Sequence, residues 1–501
     1  VLWDDDGSLS LGATRAALVA SDNDAAVCIA NEWEGMLHYV PGDAQWYVWD
    51  GTCHRPDQSM RIHQMCRDWA VRSREALRAA RTAIALEIEE TAGGRDRRPP
   101  DAALRGELDR RWKAEGWDAA WRYNAGLLKS AGMGSLERYL AGVCGTDVAD
   151  FEFSRTEGYL NCANGTVSLL TGELRPHNPA DMITYCLEWD YRGELASQAT
   201  GFWGMAVRAC ADAESADYLL RVLGYSLLGR NPEHLFPFLA GPAGSGKSKV
   251  LWIVSQVLGR LAHSTSTELI AQVPHGRNAR TENSIRSKRL VIMSEMSSRI
   301  KLDEAQVKRL TGEPEITVNQ HYAKTEIRTP VTWLPFGATN DLPSVASFDS
   351  GLRRRIAVIP GGESLAPWEI DVMKAERVLA AEGEAILALL VRAAMRYYRD
   401  GLPQPLSVEV ETARYVASQD TVDAFTAECC EKPDGSAAPG AVWETTASAM
   451  WMAYREWARG LAYLGRNEFY LKLGAKEGVA YSSGRRRFTG IRLNAEWAMR
   501  S

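Results

Sequence analysis

The stretch Gly241-Pro242-Ala243-Gly244-Ser245-Gly246-Lys247-Ser248 fills every fixed position of the pattern G-x-x-x-x-G-K-[ST]. Such a loop needs a buried strand before it and a helix after it. Residues 234–240 form an apolar run that ends at the loop, and residues 249–254 continue with helical character. Glycines let successive backbone N–H groups turn inward around a polyphosphate, and the helix N-terminus adds the positive end of its dipole. In that geometry Lys247 reaches the β- and γ-phosphates and the Ser248 hydroxyl ligates Mg²⁺. The rest of the chain has to build an α/β framework around this strand–loop–helix unit.

With 501 residues the chain exceeds one ordinary core, so about two to four domains are expected. Its 46% hydrophobic and 24% charged content are those of a globular protein. No apolar run is long enough to span a bilayer and the N-terminus lacks a signal pattern, so the expectation is a cytoplasmic protein with no membrane partner. The nine cysteines are scattered and include no C-x-x-C pair, which favours reduced structural thiols over a zinc site or disulfides. A net charge of −6 argues against a general polycation but leaves room for a basic channel inside an acidic exterior.

Before the loop, residues 14–20 read as helical, and 37–40 with 46–49 read as two strands joined by Pro41-Gly42-Asp43. Apolar residues recur at helical spacing through Met60, Ile62, Met65, Trp69, Leu77 and Ile84, and again through Leu108, Trp112, Trp117, Trp121 and Leu127. Tryptophans at that spacing belong to a core rather than to base-stacking platforms. Asn164-Gly165 inside an alternating run predicts a hairpin, and residues 212–228 an amphipathic helix leading to the 234–240 strand.

Beyond the loop, residues 289–295 form an apolar strand ending in Glu295, a carboxylate suited to orienting the attacking water and to helping hold Mg²⁺. A third strand over 332–340 ends in Asn340, whose amide can bond both the water and the γ-phosphate without adding charge. The basic cluster Arg353, Arg354 and Arg355 leads into a further strand, where an arginine can reach a neighbouring subunit's ATP and stabilise the transition-state charge. Arg354 is the first candidate and Arg355 the second.

Taken together, the 241–248 loop, the strand ending in Glu295, the 308–317 segment, Ala338-Thr339-Asn340 and Arg354-Arg355 resemble the superfamily 3 helicases of the AAA+ group. Within that group the chain looks like the phage and plasmid primase-helicases related to the poxvirus primase-helicase. The resemblance extends upstream, through the hairpin at Asn164-Gly165 and the Trp46-Tyr47-Val48-Trp49 stretch. It implies an AAA+-like ATPase core using ATP and Mg²⁺, assembled as a hexameric ring. It also implies a hairpin over 316–328 whose tip, with His321, Tyr322 and Lys324, grips single-stranded DNA in the pore.

A long amphipathic helix over 382–400 is closed by Pro403-Gln404-Pro405, and a second helix follows to about residue 430. After the linker at 432–440, two helices and a strand–turn–strand ending look like a winged helix, which the family also carries here. Lys472, Lys476, Arg485, Arg486 and Arg487 would face DNA phosphates on it. The expected fold is thus α/β, an AAA+-like ATPase core with an N-terminal mainly helical domain and a C-terminal winged helix. Its expected boundaries are 1–205 for the helical domain, 206–365 for the core, 366–431 for a helical bundle and 441–501 for the winged helix.

The expected function is an ATP-dependent helicase of phage or mobile-element replication acting on single-stranded and forked DNA. Nothing upstream is long enough for a primase domain, so primer synthesis is expected from a separate primase or polymerase, or from residues preceding Val1. The rival readings are an ATP-switched replication initiator and a regulatory or defence ATPase indifferent to DNA.

Overall fold

The structure, a computed structural model, describes residues 19–42, 44–92, 101–146, 157–272, 279–297, 300–319, 326–345, 349–419, 421–433, 443–459 and 464–499. It divides into two compact units, Val1–Arg155 with His177–Cys186, and Thr156–Pro176 with Leu187–Ser501.

The first unit is mainly helical. Of the helix expected over 14–20, only Val19 and Ala20 are described, and they are coil; the first described helix is Asp22–Glu32, whose Ser21 cap accepts a bond from the Asp24 N–H. The expected hairpin is present as Leu37–Val40 paired with Gln45–Trp49, and a third strand, His54–Pro56, extends it. A 32-residue helix, Arg61–Ala92, serves two cores along its length. Ile62, Cys66, Trp69 and Ala70 pack with Ile29, Leu37, Leu136 and Leu140. Leu77, Ala80, Ile84 and Ile88 pack with Trp112, Trp117 and Ala120 further along. The Trp112 and Trp117 rings stack at 5.4 Å, as core rather than as exposed platforms.

The second unit opens with the hairpin Tyr159–Cys162 and Gly165–Ser168, followed by the short strand Leu174–Arg175. Expected in the N-terminal 1–205 domain, this sheet instead falls in the second compact unit. Gly165 is needed where Leu174–Arg175 crosses: a Cβ there would lie 2.5 Å from the Arg175 carbonyl oxygen.

The centre of this unit is a five-stranded parallel sheet. Its strands are β1 (Phe236–Ala240), β2 (Ala262–Thr265), β3 (Leu290–Met296), β4 (Leu334–Thr339) and β5 (Ile356–Pro360), in the spatial order β5-β1-β4-β3-β2. β1, β4 and β5 are buried nearly end to end, as continuous apolar strands covered on both faces must be. Phe236, Phe238, Val291, Met293, Trp333 and Val358 form their core.

Helix α1 (Lys247–Leu258) follows β1, and α2 (Glu304–Gly312) begins at the Asp303 cap. The long helix α3 (Lys374–Asp400) starts well before the expected residue 382. Gly383, inside the expected helix, is a packing site: a Cβ there would lie 2.2 Å from the Trp189 ring. Beside it, the Glu382 carboxylate accepts bonds from the Gly201 and Phe202 N–H groups at 2.8 and 2.9 Å, capping the helix Thr200–Ala209.

The single helix expected up to residue 430 is two, α4 (Leu406–Ser418) and α5 (Thr421–Cys429). α4 runs beside β5, where the Thr412 hydroxyl accepts from the Val358 N–H at 2.8 Å. α5, expected to close the 366–431 bundle, gives Val422, Phe425 and Cys429 to the C-terminal core instead. That core also holds Tyr454 and Phe469, stacked at 4.2 Å, with Phe488 and Trp497. Around it lie the helices Ala447–Trp457 and Arg466–Gly474 and an antiparallel sheet in which Arg487–Thr489 is the middle strand between Glu444–Thr446 and Ala480–Ser482.

Candidate functional site

The 241–248 loop leaves the carboxyl end of β1, which lies between β5 and β4 in the sheet. Ligands of open parallel sheets bind outside the carboxyl ends of the strands, where the strand order reverses. Here the chain leaves β1 for the far edge at β2, steps back through β3 and β4, then crosses β1 to β5.

Gly244 and Gly246 have φ of +78° and +97°, a region that favours glycine, so the backbone can curl there. Gly246 caps α1 without a side-chain hydrogen bond, leaving the first N–H groups of a 12-residue helix open to an anion. Gly241 has a different reason: a Cβ on it would lie 2.7 Å from Gly361 Cα, where the chain leaving β5 passes behind the loop.

Lys247 is 6% exposed, and burial pushes its ammonium below the ordinary lysine value. Nζ lies 2.7 Å from the carbonyl oxygens of both Gly241 and Pro242, 3.2 Å from Ser245 Oγ and 3.3 Å from Asn340 Oδ1. Ser248 is exposed at the first turn of α1. The structure therefore brings together Lys247 and Asn340, residues far apart in sequence.

Glu295 belongs by backbone to β3, and its side chain lies outside the described residues. Its position in the ladder is informative. Ser294 pairs with Ala338 and Met296 with Thr339, so Glu295 is the additional residue of a register shift one step from Asn340. Bulges of this kind re-aim side chains beside functional sites. The Thr339 hydroxyl holds the two strand ends together, 2.8 Å from the Met296 carbonyl oxygen and 2.7 Å from that of Asp341.

The three arginines before β5 separate. Arg353 and Arg354 are exposed on the short helix Ser350–Arg353 and its cap, while Asp349, ion-paired with Lys308, accepts from the Leu352 N–H to start that helix. Arg355, the second candidate for a role in trans, is corrected by its surroundings. It is buried, with Nε on Thr311 Oγ1 at 3.0 Å and Nη1 on the Gly351 carbonyl oxygen at 2.6 Å. Burial, reinforced by the charge of Arg354, pushes its guanidinium below the usual arginine value. It fixes the start of β5 to the end of α2 within its own chain.

The expected hairpin is present at its base, Glu315–Asn319 against Glu326–Pro330. His321, Tyr322 and Lys324 lie outside the described residues. In the C-terminal unit Arg485, Arg486 and Arg487 are exposed, Arg487 pairing with Glu444 at 3.0 Å. Lys472 lies 3.9 Å from Glu468. Lys476, expected on the helix, sits beyond its end at Gly474 and is ion-paired with Asp423 at 2.6 Å, so its charge is already engaged.

Sequence reasoning missed the strap after β5. Gly361 N–H donates to the Ala240 carbonyl oxygen at 2.6 Å, Ser364 Oγ to that of Ala243 at 2.6 Å and Leu365 N–H to that of Gly244 at 3.0 Å. The Gly361-Gly362 pair directly after a buried strand was the available signal, since paired glycines mark close backbone approach. Lys249 adds an ion pair to Glu376 at 3.1 Å, at the start of α3.

As to metals, no group of three or more His, Cys, Asp and Glu side chains among the described residues is placed to hold an ion. Ser248 and polyphosphate oxygens would be the ligands a Mg²⁺ ion uses at such a loop, most of its sphere being water. No helix among the described residues is long and apolar enough to cross a membrane.

A parallel α/β sheet with a glycine-rich loop, a buried lysine and an amide at its carboxyl edge defines the general class. Comparisons with known proteins sharpen it. Residues 26–214 match the family described as "D5 N terminal like", and residues 239–355 match a family of unknown function designated DUF5906. Both are typical of phage and viral primase-helicases, so this chain is similar to replication proteins of that kind. A protein of Acanthamoeba polyphaga mimivirus named as a putative helicase is 25% identical over 300 residues. That match covers 54% of this chain, which spans only 30% of the relative's length. Among solved structures, an A form of the apo NrS-1 C-terminal region aligns at TM-score 0.36 and 12% identity, over 55% of this chain and 62% of that one. A second apo structure of the same region aligns at TM-score 0.33 and 12% identity, covering 61% and 77%.

Proposed function

We propose that this chain is the ATP-driven motor of a phage or mobile-element replication helicase, working as a ring on single-stranded DNA. The observation that carries this reading is the convergence of the 241–248 loop, Lys247 and Asn340 at the carboxyl end of the parallel sheet, one ladder position from Glu295. The loop fits a polyphosphate by its left-handed glycines and by the open N–H groups at the start of α1.

In this reading the Lys247 ammonium exchanges the carbonyls of Gly241 and Pro242 for phosphate oxygens, which are better partners for a buried cation. Mg²⁺ bound beside Ser248 would supply charge neutralisation between the β- and γ-phosphates. Asn340 orients the attacking water, Glu295 takes its proton, and Arg354 of a neighbouring copy stabilises charge on the transferred group. Distance supports action by Arg354 on a neighbouring copy rather than on its own site. Arg354 stands before the amino end of β5, whose five residues at about 3.3 Å each separate it by roughly 16 Å from the carboxyl edge.

DNA engagement is assigned to the hairpin 315–330 and to the exposed Arg485 and Arg486 of the C-terminal unit, read here as a winged helix. The test is steady-state ATP hydrolysis with and without single-stranded DNA. Stimulation by DNA, lost in Lys247→Ala, supports the motor. Hydrolysis indifferent to DNA points to a regulatory ATPase, and slow turnover with sequence-dependent duplex binding to an initiator.

A further inference from the structure

The strand order gives a bound nucleotide its direction. β1 lies between β4 and β5, and the 241–248 loop leaves its carboxyl end. With the γ-phosphate turned to Asn340 at the end of β4, the α-phosphate, ribose and base extend to the other side of the loop, over the chain that leaves β5. That chain is the strap, tied to the loop where Ser364 Oγ donates to the Ala243 carbonyl and Leu365 N–H to the Gly244 carbonyl.

The strap runs directly into a closed turn, Pro367–Glu369. Its Glu369 carboxylate accepts from the Ala366 N–H at 2.8 Å and lies 3.6 Å from Arg208. Arg208 also donates to the Glu363 carbonyl oxygen at 3.3 Å, and Gly362 N–H donates to that of Ala209 at 2.9 Å. The turn is thus fixed both to the loop and to the end of the helix Thr200–Ala209. On it Trp368, at 87%, is the most exposed large apolar side chain among the described residues. It stands three residues from Leu365, so its Cα lies within about 11 Å of that anchor. A bare indole on a turn pinned from two sides is a preorganised binding surface rather than a frayed piece of core.

We propose that Trp368 is the platform on which the base stacks when a nucleotide's phosphates occupy the 241–248 loop. The occupant is a base because the turn is bonded to the loop itself, on the side away from Asn340, and stands within reach of one nucleotide whose phosphates fill that loop. Stacking on an aromatic face adds affinity without choosing among bases, since every base has a π-face. The loop therefore reads the phosphates and the strap holds the base. The Trp368 side chain touches the nucleotide far from the reacting γ-phosphate, so it acts on binding and leaves the chemical step alone. This inference rests on the nucleotide-site reading above.

The experiment uses the full chain and titration calorimetry with Mg²⁺, comparing a non-hydrolysable ATP analogue with inorganic tripolyphosphate, which can fill the loop but carries no base. Trp368→Ala, at an exposed position, is expected to weaken the ATP analogue by about ten- to a hundredfold and to leave tripolyphosphate affinity and Tm unchanged. Trp368→Phe keeps an aromatic face and is expected to stay within a few-fold of wild type. Unchanged affinity for the analogue in Trp368→Ala would overturn the proposal. An equal loss of analogue and tripolyphosphate would also overturn it, by making the turn a support for the loop. So would a loss in Trp368→Phe as large as in Trp368→Ala. A wild type that binds the analogue no more tightly than tripolyphosphate would overturn the base platform and leave the loop reading intact. Failure of wild type to bind either would overturn the nucleotide-site reading itself.

Discussion

The ammonium of Lys247 lies 3.3 Å from the Oδ1 of Asn340, joining the loop after β1 to the end of β4. The pair holds a cation and a neutral amide side by side at the edge of the sheet. Lys247→Ala is expected to weaken nucleotide binding and abolish hydrolysis. Asn340→Ala is expected to leave binding within a few-fold and to lower kcat by about 10²-fold, the scale for one transition-state donor. Equal loss of binding in both would show that Asn340 serves only to hold the lysine.

The divergence of the arginines gives a second contrast. Arg355→Ala leaves Thr311 and Gly351 without their buried partner and is expected to cost about 1–3 kcal/mol, read as a lower Tm. Arg354→Ala, at an exposed position, is expected to leave Tm unchanged and to lower hydrolysis by about 10³-fold or more in the assembled protein. Mixing Arg354→Ala with Lys247→Ala subunits is then expected to restore part of the activity at mixed interfaces.

Much of this site was legible in the sequence because its chemistry requires particular residues at short spacing. The 241–248 loop and the apolar strands ending near Glu295 and Asn340 follow local patterns, whereas the hairpin, expected over 316–328, came from the family resemblance and is described at its base, Glu315–Asn319 against Glu326–Pro330. The strap at residues 361–365 was not legible, since its hydrogen bonds join segments more than a hundred residues apart. Nor was the inward turn of Arg355, because three consecutive arginines look alike until one is placed against Thr311. The start of α3 at Lys374 was not legible either, because before Gly383 only Ala375 is buried and no apolar stripe marks those first turns.

Gly383→Ala therefore tests a packing reading against a propensity reading. Alanine is the better helix former by about 1 kcal/mol. The Trp189 ring nevertheless occupies the space a Cβ would need, so the substitution is expected to destabilise by about 1–3 kcal/mol in chemical denaturation. A stabilised variant would mean that Trp189 moves aside freely.

Acid sensitivity follows from Asp217, whose carboxylate meets Arg396 at 2.7 and 2.9 Å and Arg221 at 3.1 Å. Burial alone would raise its pKa, but the two guanidinium groups outweigh that and hold it below the ordinary carboxylate value. A lowered folded-state pKa gives stability that is present above the unfolded value of about 3.9 and lost as pH falls through the folded one. The Tm difference between wild type and Asp217→Asn is thus expected to be constant from neutral pH down to about 4 and to shrink below it. A difference that grows on acidification would contradict the sign.

Strand separation on a forked DNA duplex, with ATP and Mg²⁺ and with wild type beside Lys247→Ala, addresses the motor directly. Separation that needs hydrolysable ATP and disappears in Lys247→Ala is the expected result. A folded, nucleotide-binding, assembled wild type that leaves the fork intact would contradict it.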